Sequence, residues 1–200
     1  MHKPFILITV PIISLCATFI FLYLYVPHPK ISSFVAITKV PNFVHDAPVS
    51  VAISPPVQLN IETINVNAPI SPVGLTPLGN MDISENPTEL AWYQLGPKPG
   101  EEGSAVIAGH YGWKNGVPSV FNDLHTLVKG DTVSVDASDG STKVFIVSRV
   151  ATYAPDQDAT YIFKSDDGLA HLNLITCQGA WNNSQRTYSE RFVVFTDYVK

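Results

Sequence analysis

The sequence predicts a mostly-β domain, a closed antiparallel-rich barrel or a sandwich, behind a single apolar N-terminal span. Three observations lead there. Short runs of alternating or wholly apolar residues recur from Val57 to the C-terminus, separated by Gly, Pro, Asn and Asp. Helical spacing is confined to two short stretches. A chain of 200 residues, less its N-terminal span and the proline-rich segment behind it, is still long enough to bury one full core.

Residues 1–4 read as a short cytoplasmic N-terminus, and Phe5–Val26 as a membrane anchor. That apolar stretch is uncharged and roughly 22 residues long, enough to cross about 30 Å of hydrocarbon as a helix. Lys3 precedes it and Tyr23, Tyr25 and Lys30 flank its far end, which orients the rest of the chain outward. A cleaved signal peptide is the alternative, but Pro27-His-Pro-Lys30 follows where a small-residue cleavage site belongs. Residues 27–56 carry Pro27, Pro29, Pro41, Pro48, Pro55 and Pro56, a density that resists helix and sheet and predicts a semi-extended stalk.

Residues 57–200 form the predicted globular domain. Strands are expected at Gln58–Asn65, Ala68–Val73, Ser104–Gly109, Thr132–Asp136, Lys143–Tyr153, His171–Thr176 and Arg191–Val199. Asp139-Gly140 marks a tight hairpin. Thr88–Tyr93 predicts a short helix capped by Thr88. Phe121, Leu124, Leu127 and Val128 fall at helical spacing and predict a second.

Charged residues make up 14% of the chain, net charge is −5 and no basic tract occurs, which argues against a nucleic-acid surface. Of the two cysteines, Cys16 lies within the apolar span and cannot bridge Cys177. Cys177 is therefore a free thiol at the end of a predicted strand, His171 to Thr176. Such a position gives a nucleophile rigid support and open access; it equally suits a small buried residue that happens to be Cys. His110 ends the apolar run Ser104–Gly109 between Gly109 and Gly112, unlike His2, His28 and His45 in the span or stalk, His125 in a predicted helix and His171 at a strand start. It reads as a base or as a hydrogen-bonded structural histidine. Arg191 opens the last strand. In a hairpin with the preceding strand it reaches the thiol's end of the sheet, whereas Arg186 falls in the polar loop expected over Gln178–Glu190.

Ala105-Val-Ile-Ala-Gly-His110, Leu174-Ile-Thr-Cys177 and Arg191-Phe-Val-Val-Phe together resemble the sortases, membrane-anchored cysteine transpeptidases of the bacterial surface. The resemblance runs from about Val57 to the C-terminus. Val73-Gly-Leu and Trp92-Tyr-Gln-Leu-Gly-Pro-Lys-Pro-Gly100 look most like class E and F members. Tyr111-Gly112-Trp113 and the length of the loop after Cys177 depart from them. The resemblance implies an eight-stranded barrel with one or two short helices and a catalytic triad of His110, Cys177 and Arg191. It implies cleavage of a Leu-Pro-x-Thr-Gly-like sorting signal at the Thr–Gly bond through a thioacyl enzyme. Transfer to an amine on peptidoglycan or a pilin would follow. Thr176, Ala105 and Gln178, with the loop from Ala154 to Ala170, are the expected substrate contacts. The implied partners are surface proteins bearing sorting signals, and the implied location is the cell membrane, with the catalytic domain outside.

The L,D-transpeptidases also place His before Cys, but in a Ser-x-Gly-Cys-x-Arg context that Cys177 lacks, and papain-like proteases reverse the order. A non-catalytic alternative is an anchored β-domain that binds a wall component through Trp92, Trp113 and Trp181. The chemistry needs no cofactor. Asp156, Asp158, Asp166 and Asp167 fit solvated loop carboxylates, with a loop calcium site as the alternative suggested by some sortases.

Overall fold

The structure, a computed structural model, describes residues 52–114 and 116–200. The expected N-terminus, membrane anchor and most of the stalk lie outside the described residues. Ten strands follow in order: β1 (Pro56–Ile61), β2 (Val66–Val73), β3 (Leu90–Tyr93), β4 (Gly103–Gly109), β5 (Trp113–Lys114), β6 (Val117–Pro118), β7 (Thr132–Ala137), β8 (Thr142–Tyr153), β9 (Ala170–Asn182) and β10 (Thr187–Tyr198). Eight of them close into a barrel in the order β1-β2-β3-β4-β9-β10-β8-β7, with β7 pairing back onto β1. β5 and β6 form a separate two-stranded ribbon. The pairs β2–β3 and β4–β9 are parallel and the other barrel pairs antiparallel. The barrel is the closed alternative of the two architectures that the patterning allowed.

Alternation along each strand decides which side chains fill the barrel. Leu59 and Ile61 of β1, Ala105 and Ile107 of β4, Leu172 and Leu174 of β9, and Phe192 and Val194 of β10 belong to one continuous core with Val133, Val135, Phe145 and Val147. Val193 and Phe195, on the opposite face of β10, pack with Tyr153, Ile162 and Phe163 in a second cluster. That cluster lies under the connection between β8 and β9, which Asn173 ties down by donating from Nδ2 to the Ile162 carbonyl at 2.5 Å. Val193, Phe195 and Tyr153 on the outer side of β8 and β10 are therefore buried.

Both helices expected from the sequence are corrected. The described residues contain no α-helix, only 3₁₀ turns at Glu62–Ile64, Leu124–Thr126 and Thr160–Ile162. Leu90, Ala91 and Trp92 are buried on both faces because β3 runs between β2 and β4, so tertiary pairing outweighs the Thr88 cap. Phe121, Leu124 and Leu127 are buried together, but their spacing of three is the period of a 3₁₀ turn. Leu127 is already extended at ψ 141°, and Val128 is 62% exposed, off the stripe. The loop expected over Gln178–Glu190 is corrected too. β9 runs five residues past Cys177, and β10 begins four residues before Arg191. The polar segment is thus a hairpin arm.

Gly109, the last residue of β4, sits against the ring of Phe121 and the side chain of Leu90. A Cβ there would lie 2.6 Å from Phe121 Cδ2 and 2.8 Å from Leu90 Cδ2. Both neighbours are fully buried and have no room to yield. Gly109→Ala should therefore destabilise the domain by about 1–3 kcal/mol through overpacking. A urea titration should show a lower midpoint at unchanged slope.

Candidate active site

β9 lies between β4 and β10, and the two registers define the site. On the antiparallel side Arg191 pairs directly with Cys177 and Val193 with Ile175. On the parallel side Ala108 pairs with Ile175. Carried two residues beyond that pair, the register sets His110 level with Cys177. Thr176 Oγ1 donates to the Gly109 carbonyl at 2.8 Å, which holds the two strands together at this level. Alternation puts Ala108, Ile175, Cys177, Arg191 and Val193 on the outer face, and His110 follows Ala108 by two. Three strands thus bring three chemically distinct groups to one end of the sheet.

Cys177 opens onto an apolar groove. Ala108, Ile175 and Val193 form its floor, Met81, Asp82 and Ile83 one wall, and Tyr153, Ala154, Ile162 and Phe163 the other. Cys177 is unbridged and half-buried. Burial pushes its pKa up, and the Arg191 guanidinium partly offsets this by stabilising the thiolate.

The Arg191 guanidinium is held by its own strand. Nη1 donates to the carbonyls of Glu190 at 2.9 Å and Tyr188 at 3.1 Å, and Nη2 to Thr187 Oγ1 at 2.9 Å. Of an arginine's five N–H groups these bonds use three, leaving Nε–H and one on Nη2 for a ligand. Arg186, by contrast, sits in the turn of the arm with φ 51° and is exposed. His110 is partly buried, with Nε2 2.7 Å from the Ser84 carbonyl oxygen. Its own carbonyl accepts from the Phe121 N–H at 3.0 Å.

Other residues singled out in the sequence fall elsewhere. Thr176 lines the groove, but its side chain is buried and its hydroxyl is committed to Gly109. Ala105 points into the barrel core and does not line the groove; Ala108 and Gly109 of the same strand do. Gln178 lies just past the thiol, with its side-chain oxygen buried and unpaired. Trp92 is core and donates to the Pro97 carbonyl at 3.2 Å, whereas Trp113 is 68% and Trp181 50% exposed. Asp158 caps the Thr160 turn, and Asp167 bonds Ser165, Leu169 and His171. Among the described residues no three His, Cys, Asp or Glu side chains are grouped to hold a metal.

Two features had no signal in the sequence. One is Ser84, which contributes only a backbone carbonyl. The other is a bulge directly after Cys177. Gln178 pairs with Glu190 and Trp181 with Tyr188, so Gly179 and Ala180 face Ser189 alone. Gly179 has φ 83°, and a Cβ there would clash with Ser189 Oγ. A glycine in this conformation lets the arm twist away immediately beyond the thiol.

A family model described as a Sortase domain matches residues 59–199. Among solved structures, sortase C-1 from Actinomyces oris is 26% identical with a TM-score of 0.57, covering 72% of this chain and 75% of that one. A lid mutant of sortase A from Corynebacterium diphtheriae is 23% identical with a TM-score of 0.58, covering 74% and 73%. Streptococcus agalactiae sortase C1 in complex with MTSET is 23% identical with a TM-score of 0.56, covering 72% and 67%. No curated protein matches.

The thiol's surroundings fix a pH response. Because burial raises its pKa, Cys177 should be alkylated by iodoacetamide with a pH midpoint above that of an ordinary thiol. Removing the guanidinium removes a stabiliser of the thiolate, so Arg191→Ala should move the midpoint further up and slow alkylation at pH 8. A midpoint unmoved or lowered in that variant would remove Arg191 from the thiol's electrostatics.

Proposed function

The chain belongs to the sortase family, the cysteine transpeptidases, and from that premise we propose that it cleaves a Leu-Pro-x-Thr-Gly-like sorting signal and transfers the acyl part to an amine. The observation that carries this reading is the direct pairing of Arg191 with Cys177 at the mouth of an apolar groove, with His110 level by register. The groove suits the apolar residues of the signal, and it brings the Thr carbonyl over the thiol.

In this mechanism the Cys177 thiol gives its proton to His110, and the sulfur attacks the Thr carbonyl carbon. A C–S bond forms and the carbonyl becomes an oxyanion. The uncommitted N–H groups of Arg191 can donate to that oxyanion or to neighbouring substrate carbonyls. Protonated His110 then gives its proton to the Gly nitrogen as the C–N bond breaks. The acceptor amine attacks the thioester, His110 takes its proton, and as the C–S bond breaks Cys177 leaves as thiolate and regains a proton from His110. Burial opposes the thiolate at rest, so the step needs a base poised beside it. The acceptor belongs to peptidoglycan or a pilin. Phe5–Val26 anchors the enzyme in the cell membrane with residues 57–200 outside, and class E or F rests on the segment from Val73 to Gly100.

Turnover by the purified protein of a panel of Leu-Pro-x-Thr-Gly-like peptides, with amine acceptors present, tests the reading. Cys177→Ala should abolish transpeptidation, and without acceptor the wild type should accumulate an acyl adduct on Cys177, read by mass spectrometry. His110→Ala should lose about 10² to 10⁴-fold in rate, while His125→Ala and His171→Ala stay near wild type. Arg191→Ala should lose about 10²-fold and Arg186→Ala less than about tenfold. Arg186→Ala as the slower variant would overturn the assignment of the arginine. Full-length protein with a C-terminal tag should fractionate with membranes at full mass and be digested by protease added outside the cell.

A further inference from the structure

We propose that the backbone carbonyl of Ser84 selects the tautomer of His110, and that Glu89 is the positioning residue that holds this carbonyl in place. The proposal rests on His110 being the general acid–base of the reaction above. A carbonyl oxygen can only accept, so the 2.7 Å contact between Ser84 O and His110 Nε2 requires the proton on Nε2. A neutral imidazole carries one N–H. Nδ1 is then the bare nitrogen and the atom that takes the thiol's proton. Once the ring is charged, the Nε2–H bond to Ser84 becomes charge-assisted and stronger, so it also stabilises the intermediate state of the base.

The carbonyl lies in the connection between β2 and β3, which carries no secondary structure at Ser84 to fix its direction. Glu89 supplies the constraint. One carboxylate oxygen accepts from Ser84 Oγ at 3.0 Å and the other from Asn86 Nδ2 at 3.0 Å. Asn86 N–H donates to Ser84 Oγ at 3.2 Å, and Glu89 N–H to the Asn86 carbonyl at 3.2 Å. Residues 84–89 are thus closed into a small ring of hydrogen bonds. The ring is attached to the barrel at a telling place: Glu89 immediately precedes Leu90, which is fully buried and pairs with Gly109, the residue before His110. The group that orients Ser84 and the ring that Ser84 orients therefore share one strand pair. Glu89 touches neither substrate nor His110; it acts through the Ser84 backbone.

Long-range ¹H–¹⁵N correlation spectra of the full-length protein labelled at histidine read the tautomer directly. The wild type should show His110 with the proton on Nε2. Glu89→Ala should yield a mixed tautomer population and a kcat about tenfold lower, with Glu89→Gln, which keeps one acceptor oxygen, in between. Should Glu89→Ala lose the fold, Ser84→Ala removes the hydroxyl but keeps the carbonyl, and a smaller change in the same direction is expected. A wild-type ring protonated on Nδ1 would overturn the proposal. So would a tautomer population unmoved in the folded variants, or a moved population with unchanged kcat. A wild type without turnover would count against transpeptidation, while the spectra would still decide the Ser84 assignment.

Discussion

The site depends on the position of β9 between a parallel and an antiparallel neighbour. Side chains on a strand alternate between faces, so a one-residue slip of β9 would turn Cys177 into the barrel and bring Thr176 to the groove. Several contacts oppose such a slip. Leu172 and Leu174 fill the core, Asn173 binds the connection above the outer cluster, and Thr176 is bonded to the end of β4. On the other edge, Thr196 Oγ1 donates to the Leu172 carbonyl at 2.8 Å. The chemistry at the sheet end is thus governed by apolar packing several residues away.

The groove acts in two opposing ways at Cys177. Its apolar lining matches an extended apolar peptide of the kind proposed as substrate. The same walls disfavour the thiolate. Arg191 returns part of this, and it is placed to do so by direct pairing across the hairpin. Its guanidinium is already fixed by three bonds to its own strand, so little side-chain ordering is left for the reaction step.

The three residues that the registers bring to one end of the sheet stood out in the sequence because each marks the end of a pattern: Cys177 closes an alternating run, His110 an apolar one, and Arg191 opens another. Alternation and turn residues pointed to a mostly-β domain but left barrel and sandwich both open; the eight-stranded closure came from the resemblance alone. β3 was not legible. Leu90-Ala91-Trp92 is apolar without a period, and a strand buried on both faces looks like a short helix behind a good cap. The arm after Cys177 was not either, because its side chains are mostly solvated and carry no alternation. Ala105 was chosen from the right strand but the wrong face. Ser84 was invisible in principle: a carbonyl is common to every residue, and only folding decides which one meets an imidazole.

Barrel closure gives each of the eight strands two neighbours and so leaves no edge strand. The hairpin arm extends well past this closure. Past Cys177, β9 pairs only with β10, and β10 before Arg191 pairs only with β9, so both outer margins of this ribbon present unpaired backbone. Such a ribbon is a template for strand addition between molecules, a hazard for any protein crowded among its own copies. The arm is poorly suited to propagate it. The bulge at Gly179 breaks the register, and Asn182, Asn183, Ser184, Gln185 and Arg186 make a polar tip. Tyr188 packs edge-on against both Tyr111 and Trp181 and occupies what would otherwise be a flat adhesive face. The feature that frames one side of the thiol is thus also built against aggregation.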